Sequence, residues 1–244
     1  MKYNFVRFKE IDSTNNEAKR YVSEGGVLPA LLLAERQTEG RGRMGRSFYS
    51  SDNKGVYITV VMKAEAGDEA FLRATAVSAV CAVESIKELF GISTEIKWVN
   101  DIYYQSKKVA GILAESFVVD GERYVAVGFG INLYTQIPES LRDIAISLFP
   151  EYPDSYTLNM QRDALANRIA EKLLSVIEKN SFADYMAKYR SLSCVIGRKI
   201  LFSENGNDYI ASVLDINDEG ALIVELADGS VKNLSTGEIS LKTV

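Results

Sequence analysis

The sequence predicts an α+β domain followed by a small β module, and three observations carry that prediction. Short apolar blocks of strand character alternate with helix-periodic stretches as far as Asn132. A long periodic segment then runs from Leu158 to Lys179. After Ser193 the chain changes to short strands separated by turn residues. The division is placed at 192/193, giving a domain of residues 1–192 and a module of residues 193–244. No internal repeat or low-complexity tract interrupts either part.

The elements follow in chain order. Tyr3 to Phe8 alternates as a half-buried strand, and Asp12 to Glu17 carries a helix start with a Thr14/Glu17 capping box, the helix running to about Glu24. Ala30 to Ala34 is a continuous apolar run expected as a buried strand, and Glu35 to Lys54 is a long polar loop rich in Gly and Arg. Val56 to Val61 is a strand, and Asp68 to Phe90 a helix with Phe71, Leu72, Val77, Val80, Cys81 and Ile86 in phase. Strands are expected at Glu95–Trp98, Lys108–Phe117 and Tyr124–Asn132, with a short tyrosine-bearing turn before Lys108. Pro138, Pro150 and Pro153 mark an irregular connection, followed by helices at Leu158–Lys179 and Phe182–Arg190. Five strands complete the module, Arg198–Phe202, Tyr209–Ile216, Ala221–Leu226, Ser230–Leu234 and Glu238–Leu241, a pattern that suggests an SH3-like barrel.

Composition narrows the chemistry. The 244 residues include 28 basic and 33 acidic side chains, a net charge of −5, which argues against a dedicated double-stranded DNA binder. With 47% hydrophobic residues and 4 prolines the chain can bury a substantial core. There is no histidine, which removes imidazole bases, Ser-His-Asp and Cys-His catalysis and every His-ligated zinc site. Acid–base work is left to Asp, Glu, Lys or Tyr. The 2 cysteines, Cys81 and Cys194, have neither metal spacing nor disulfide density, which fits a cytoplasmic protein. No apolar run approaches the ~18 residues of a membrane span, so neither membrane nor secretion is expected.

Gly40-Arg41-Gly42-Arg43-Met44-Gly45-Arg46 interleaves glycines with arginines. Such a loop brings backbone N–H groups close to an anion while guanidiniums fork around phosphate or carboxylate oxygens. The glycine spacing satisfies G-x-G-x-x-G and approximates a P-loop, but Ser47 to Asp52 does not open a helix, and Arg46 stands where a P-loop has lysine. A kinase glycine loop would need an H-R-D motif, impossible without histidine. A solvated basic loop is the ordinary reading of an arginine cluster. Three interleaved glycines favour instead a loop that is disordered alone and ordered by a ligand.

Lys97-Trp98-Val99-Asn100-Asp101 and Lys107-Lys108-Val109-Ala110-Gly111 bracket a tight turn that would bring Lys97, Asp101 and Lys108 to one sheet edge. Two readings fit: a surface ion-pair cluster, or phosphoryl chemistry in which lysines neutralise phosphate and Asn100 or Asp101 positions a magnesium ion or nucleophile. Gly128 and Gly130 fall on one strand face, which makes either a slot for a flat ligand or a β-bulge.

In this order, Ser13-Thr14-Asn15, Gln37 with the Gly–Arg loop, Lys97 to Asp101, Lys108 to Leu113, Gly128 to Asn132 and Ser235 to Ser240 resemble the biotin protein ligase family over essentially the whole chain. The resemblance implies a class II synthetase-like mixed sheet flanked by helices, the biotin/lipoate ligase fold, with a C-terminal SH3-like barrel. It implies a two-step reaction: biotin attacks the α-phosphorus of MgATP to form biotinyl-5′-AMP, and a lysine of a biotin carboxyl carrier protein domain then takes the biotinyl group. Carried over position by position, Ser13, Thr14, Asn15, Gln37, Gly40, Arg41, Gly42, Arg43, Lys108, Gly111, Gly128 and Gly130 would bind biotin. Arg43, Arg46, Phe48, Lys97, Asn100, Asp101 and Asn132 would bind ATP. Lys108, Asp101 and Arg43 would be catalytic, with Asp101 either the base for the acceptor lysine or an ATP/Mg²⁺ ligand.

Two departures stand out. Val99 replaces the family's usual proline, and Phe48 stands where many relatives carry tryptophan. The family's repressor members carry an N-terminal helix-turn-helix, whereas a strand begins near Tyr3 here, so a monofunctional ligase that binds no DNA is expected. A homodimer is left open. The alternatives are a lipoate-protein ligase on the same scaffold and, from another class, a non-enzymatic nucleic-acid adaptor, which the net charge disfavours.

Overall fold

The structure is a computed structural model that describes residues 2–50, 53–64, 70–204, 206–235, 237 and 239–241. Asp68 of the second expected helix, Ser51 and Asp52 of the long loop, and Thr236 and Glu238 of the terminal motif lie outside the described residues.

A seven-stranded sheet forms the larger part. Its strands are β1 (Asn4–Ile11), β2 (Ala30–Gln37), β3 (Val56–Lys63), β4 (Glu95–Lys97), β5 (Asp101–Tyr104), β6 (Lys107–Val119) and β7 (Glu122–Ile131), in the order β1-β2-β3-β7-β6-β5-β4. β1 and β2 run parallel because helix α1 (Thr14–Ser23) crosses between them; the other neighbours are antiparallel, so the sheet is mixed. Ala30 to Ala34 lie fully buried, as expected for a continuous apolar run covered on both faces.

The two faces are covered unequally. Helices α2 (Ala70–Phe90), α3 (Ser155–Lys179) and α4 (Phe182–Ser191) belong to the major core, where Val80, Ile86, Ile169 and Leu173 cluster with Leu31, Leu33, Ile58 and Phe129. On the opposite face the buried apolar side chains of α1 are Ala18 and Val22, packed against Ala30, Leu32, Val61 and Ala126. A ten-residue helix spans about 15 Å, too short to roof seven strands. The uncovered remainder of this face becomes the cavity described below.

Several expectations shift. The predicted capping box does not form: Ser13 is the N-cap without a side-chain bond, and the Glu17 carboxylate pairs with Arg20. The donor at Thr14 N is satisfied instead by Gln37 Oε1 at 2.8 Å, so a residue distant in sequence substitutes for a local cap. The tyrosine-bearing turn is a strand, β5, and the reversal sits at Gln105–Ser106, both with positive φ (49° and 63°). Helix α3 begins at Ser155 rather than Leu158 because Asp154 caps it, accepting from Thr157 N at 2.9 Å.

The C-terminal part is an SH3-like five-stranded antiparallel sheet of β8 (Lys199–Glu204), β9 (Asn207–Ile216), β10 (Leu222–Leu226), β11 (Val231–Leu234) and β12 (Ile239–Leu241), ordered β11-β10-β9-β8-β12. Its core residues Ile200, Phe202, Val213 and Leu222 join the major core. Trp98 Nε1 donates to Gly220 O at 2.9 Å, and Arg190 donates to Ile216 O at 3.2 Å and pairs with Asp218. The first contact ties this sheet to the turn that precedes Asp101, and the second ties it to α4. No helix among the described residues is long and apolar enough to cross a membrane.

Arg162 occupies an apolar phase of α3, between Leu158 and Leu165, and is 1% exposed. Its Nε donates to Gly55 O at 3.0 Å, its Nη2 to Asn53 O and its Nη1 to Asn159 Oδ1 at 2.9 Å. Burial pulls its pKa below the ordinary arginine value. The side chain therefore pins the strand entry that closes the Gly–Arg loop region. Arg162→Leu strands two backbone carbonyls in the interior and should reduce stability by about 3 kcal/mol; urea unfolding with an unchanged midpoint would contradict this role.

Candidate active site

The uncovered sheet face is built from residues in strand phase. Gly111 on β6 pairs with Gly130 on β7, and Leu113 pairs with Gly128. The register is regular on both sides of β7 through these positions, so the glycines form a slot and not a bulge. The slot is partly filled by the protein's own side chains. A Cβ at Gly128 would meet Asn15 Oδ1 at 2.2 Å, and one at Gly130 would meet the Phe48 ring at 2.6 Å. At Gly111 the nearest atoms belong to Lys108, at 3.2 Å. Glycine here lets the first residues of α1 and the loop aromatic approach the sheet.

Above the slot is a cavity of about 320 Å³. It brings together Ser13, Thr14, Asn15, Gln37, Arg41, Gly42, Arg43, Arg46, Phe48, Lys97, Asn100, Asp101, Lys108, Gly111, Gly128 and Gly130. Two predicted positions stand apart. Gly40 sits where the two limbs of the loop meet, and a Cβ there would lie 2.3 Å from Ser50 Oγ and 2.4 Å from Phe48 O. Asn132, beyond β7, donates through Nδ2 to Ile146 O at 3.2 Å and takes no part in the lining.

The Gly–Arg loop is laced by hydrogen bonds between its own backbone groups. Phe48 N donates to Gly40 O at 2.8 Å, Gly42 N to Arg46 O at 2.7 Å and Arg46 N to Arg43 O at 3.2 Å. Met44 (φ 55°) and Gly45 (φ 75°) both adopt left-handed backbone at its tip. The loop is fastened on opposite sides of the cavity. Arg43 Nη1 donates to Asn100 Oδ1 at 3.2 Å, while Arg41 donates to Asn16 Oδ1 at 2.9 Å and forks onto the Glu115 carboxylate at 3.1 Å.

At the other end, β4, β5 and β6 form a meander that places Lys97, Asp101 and Lys108 on one edge, as the tight-turn reading expects. Lys108 Nζ lies 2.7 Å from Asp101 Oδ1 and 6.0 Å from the Phe48 ring centroid. Lys97 Nζ approaches Tyr103 OH at 3.2 Å. Asn100 is held by its own Nδ2 donating to Ile112 O at 2.9 Å. The Trp98–Val99 peptide, at the position of the substituted proline, is cis. Tyr189 OH donates to Val99 O at 2.9 Å and Trp98 is anchored to Gly220, so the turn is gripped from both sides.

Among the described residues, five cations, Arg41, Arg43, Arg46, Lys97 and Lys108, therefore line one cavity against one lining carboxylate, Asp101. In a chain of net charge −5 this concentration is a site for an anion with several oxygens. Among the described residues no group of three or more His, Cys, Asp or Glu could hold a metal ion. Neither cysteine lines the cavity; burial pushes the Cys81 thiol up to about 12 and the Cys194 thiol up to about 11.

Sequence reasoning missed three contributors. Glu115 could have been found, because it shares strand phase with Gly111 and Leu113. Trp98, given no role of its own within the Lys97–Asp101 motif, lines the cavity while docking the C-terminal sheet. Gly237, Ile239 and Ser240, within the Ser235–Ser240 motif to which the sequence assigned no site role, reach the cavity from the C-terminal module.

Comparison with known proteins agrees with this geometry. Residues 8–132 match the Biotin/lipoate A/B protein ligase family and residues 195–242 match the Biotin protein ligase C terminal domain. The chain is 30% identical over 243 residues to the bifunctional ligase/repressor BirA of Bacillus subtilis, covering 95% of this chain and 72% of that protein. It is 28% identical over 242 residues to the biotin–[acetyl-CoA-carboxylase] ligase of Mycobacterium tuberculosis, covering 93% of this chain and 85% of that one. The structure of a biotin protein ligase from Aquifex aeolicus in complex with biotin and ATP superposes with a TM-score of 0.79, 27% identity and 99% coverage of both chains.

Gly128→Ala should displace the Asn15 amide and destabilise the fold by about 2 kcal/mol. Adding Asn15→Ala should recover part of that loss in thermal unfolding, and strictly additive losses would show that the two positions do not touch. With its side chain buried and its thiol raised well above 8.5, Cys81 should react slowly with iodoacetamide at pH 8 in the folded protein and readily in urea; rapid native labelling of Cys81 would contradict its burial.

Proposed function

The chain belongs to the biotin/lipoate A/B protein ligase family, and from that premise we propose that it is an ATP-dependent biotin protein ligase. Residues 1–192 form the catalytic domain and residues 193–244 an SH3-like domain that supplies one wall of the site. The observation that carries the reading is the convergence of loop cations and strand lysines on one cavity beside a glycine slot.

In the first step a biotin carboxylate oxygen attacks the α-phosphorus of ATP, the bond to the β-phosphate oxygen breaks, and pyrophosphate leaves. Two anions must meet, so the chemistry needs fixed positive charge at the reacting centre. Lys108 and Arg43 supply it from the β6 edge and the loop, and Lys97 and Arg46 serve the polyphosphate. Asn100 keeps Arg43 aimed inward. Phe48, over Gly130, offers an aromatic wall for the nucleotide. Magnesium would enter with the nucleotide and neutralise its phosphate charge, held chiefly by phosphate oxygens, and Asn100 and Asp101 would supply the one or two protein oxygens it needs.

The biotin end lies toward α1. Thr14 and Gln37 are joined there, and Ser13 stands free of any cap bond at the helix N-terminus, where polar ligand atoms are well received. Asn15 lines the cavity beside them and is itself firmly held. Its Oδ1 accepts from Thr59 Oγ1 at 2.6 Å and its Nδ2 donates to Leu113 O and Glu115 Oε2, so it shapes the pocket floor.

In the second step the ε-amine of a carrier-domain lysine attacks the acyl carbon, AMP departs, and the nitrogen loses a proton. Asp101 has two successive tasks. Before adenylation its carboxylate orients Lys108 at 2.7 Å. Once Lys108 is drawn to the phosphate, Asp101 is released to attract the incoming ammonium and take its proton.

Incubation with biotin and MgATP should yield bound biotinyl-5′-AMP by mass analysis, with pyrophosphate release, and transfer to a carrier domain. Pyrophosphate release with lipoate and none with biotin would overturn the assignment. Lys108→Ala should slow pyrophosphate release by roughly 100-fold. Asp101→Asn should slow transfer from preformed adenylate more than it slows adenylation, and equal effects on both steps would remove it as the base.

A further inference from the structure

Glu115 has no part in the reaction as described, yet it is the most connected carboxylate beside the cavity. It projects from β6 on the glycine face, four residues beyond Gly111, with its side chain 18% exposed. Oε1 lies 3.1 Å from Arg41 Nη2 and 3.5 Å from Lys19 Nζ, and Oε2 accepts from Arg41 Nη1 at 3.1 Å and Asn15 Nδ2 at 2.9 Å. One carboxylate thus joins the Gly–Arg loop, helix α1 and the central sheet.

We propose that Glu115 is a positioning residue that latches the Gly–Arg loop over the cavity and couples closure to the pocket floor. The proposal rests on the ligase reading for its consequence, retention of the adenylate, but not for the latch itself. A two-pronged arginine–carboxylate contact fixes both distance and orientation, which a single hydrogen bond does not. The same carboxylate restrains Asn15, whose amide fills the Gly128 side of the slot. Opening the loop by breaking this contact leaves a partly buried carboxylate with fewer donors, so the open form is disfavoured without any bond to the substrates. The anhydride between biotin and AMP is hydrolysed by water, and a latched loop keeps water out during the wait for the carrier lysine.

Glu115→Gln tests this, because the amide oxygen can still accept from Asn15 while the charge and the arginine fork are lost. Tryptic cleavage after Arg43 and Arg46 in the full-length protein should accelerate about tenfold, since such cleavage follows the population of the open loop. Thermal unfolding should move little, and biotinyl-5′-AMP made in a single turnover should escape faster while its rate of formation at saturating biotin stays near wild type. Arg41→Gln reaches the same contact from the loop, where the fold is not at stake, and the double variant should be no more open than either single one. Loop cleavage at the wild-type rate in both single variants overturns the latch, as does cleavage accelerated equally at sites throughout the chain. If wild-type protein forms no biotinyl-5′-AMP, the ligase reading fails and the proteolysis still decides the latch.

Discussion

Five cationic side chains cannot share one cavity unless each is held in place. Asp101 holds Lys108, Asn100 holds Arg43, and Glu115 holds Arg41. Without these partners the guanidiniums and ammoniums would repel one another toward solvent, and the field at the centre would fall. The rest of the molecule can be understood as the scaffold that presents these three acceptors from fixed backbone. All three lie on β5, β6 or the turn before them, strands buried in the sheet and braced on one side by α2 and on the other by the C-terminal module.

That scaffold works because the sheet is covered unequally. A long three-helix layer makes one face an ordinary apolar core, while the short α1 leaves part of the other bare. Bare sheet normally invites collapse or association. Here the glycines leave no side chains on that stretch, and Asn15, Phe48 and Lys108 lean over it instead. The floor is polar where polar groups are needed and flat where a ring system can lie.

The loop shows how ligand binding and folding share residues. Gln37 ends β2, accepts the Thr14 N–H and OH, and begins the excursion to Phe48; Arg162 grips the chain as it returns toward β3. The loop is thereby held at Gln37 and again at Asn53 and Gly55, and its arginines are presented from between these points. Catalytic loops gain precision when their hinges are rigid, because less ordering remains for the substrates to impose.

Much of this was legible in the chain. The apolar blocks located nearly every strand and helix, the glycine and arginine spacing marked the anion loop, and the order of short motifs identified the family, because strand alternation and turn chemistry are local properties. What the chain alone could not show were partners separated by long stretches of sequence: Gln37 replacing a local cap on α1, Arg162 buried against Gly55, Trp98 tied to Gly220, and Glu115 beneath Arg41. It also could not tell that Asn15 bonds Thr59 or that Asn132 bonds Ile146 and lies off the cavity lining. A residue's type and phase determine which face it occupies, whereas its partner depends on which strands become neighbours, and that is decided only when the whole sheet assembles.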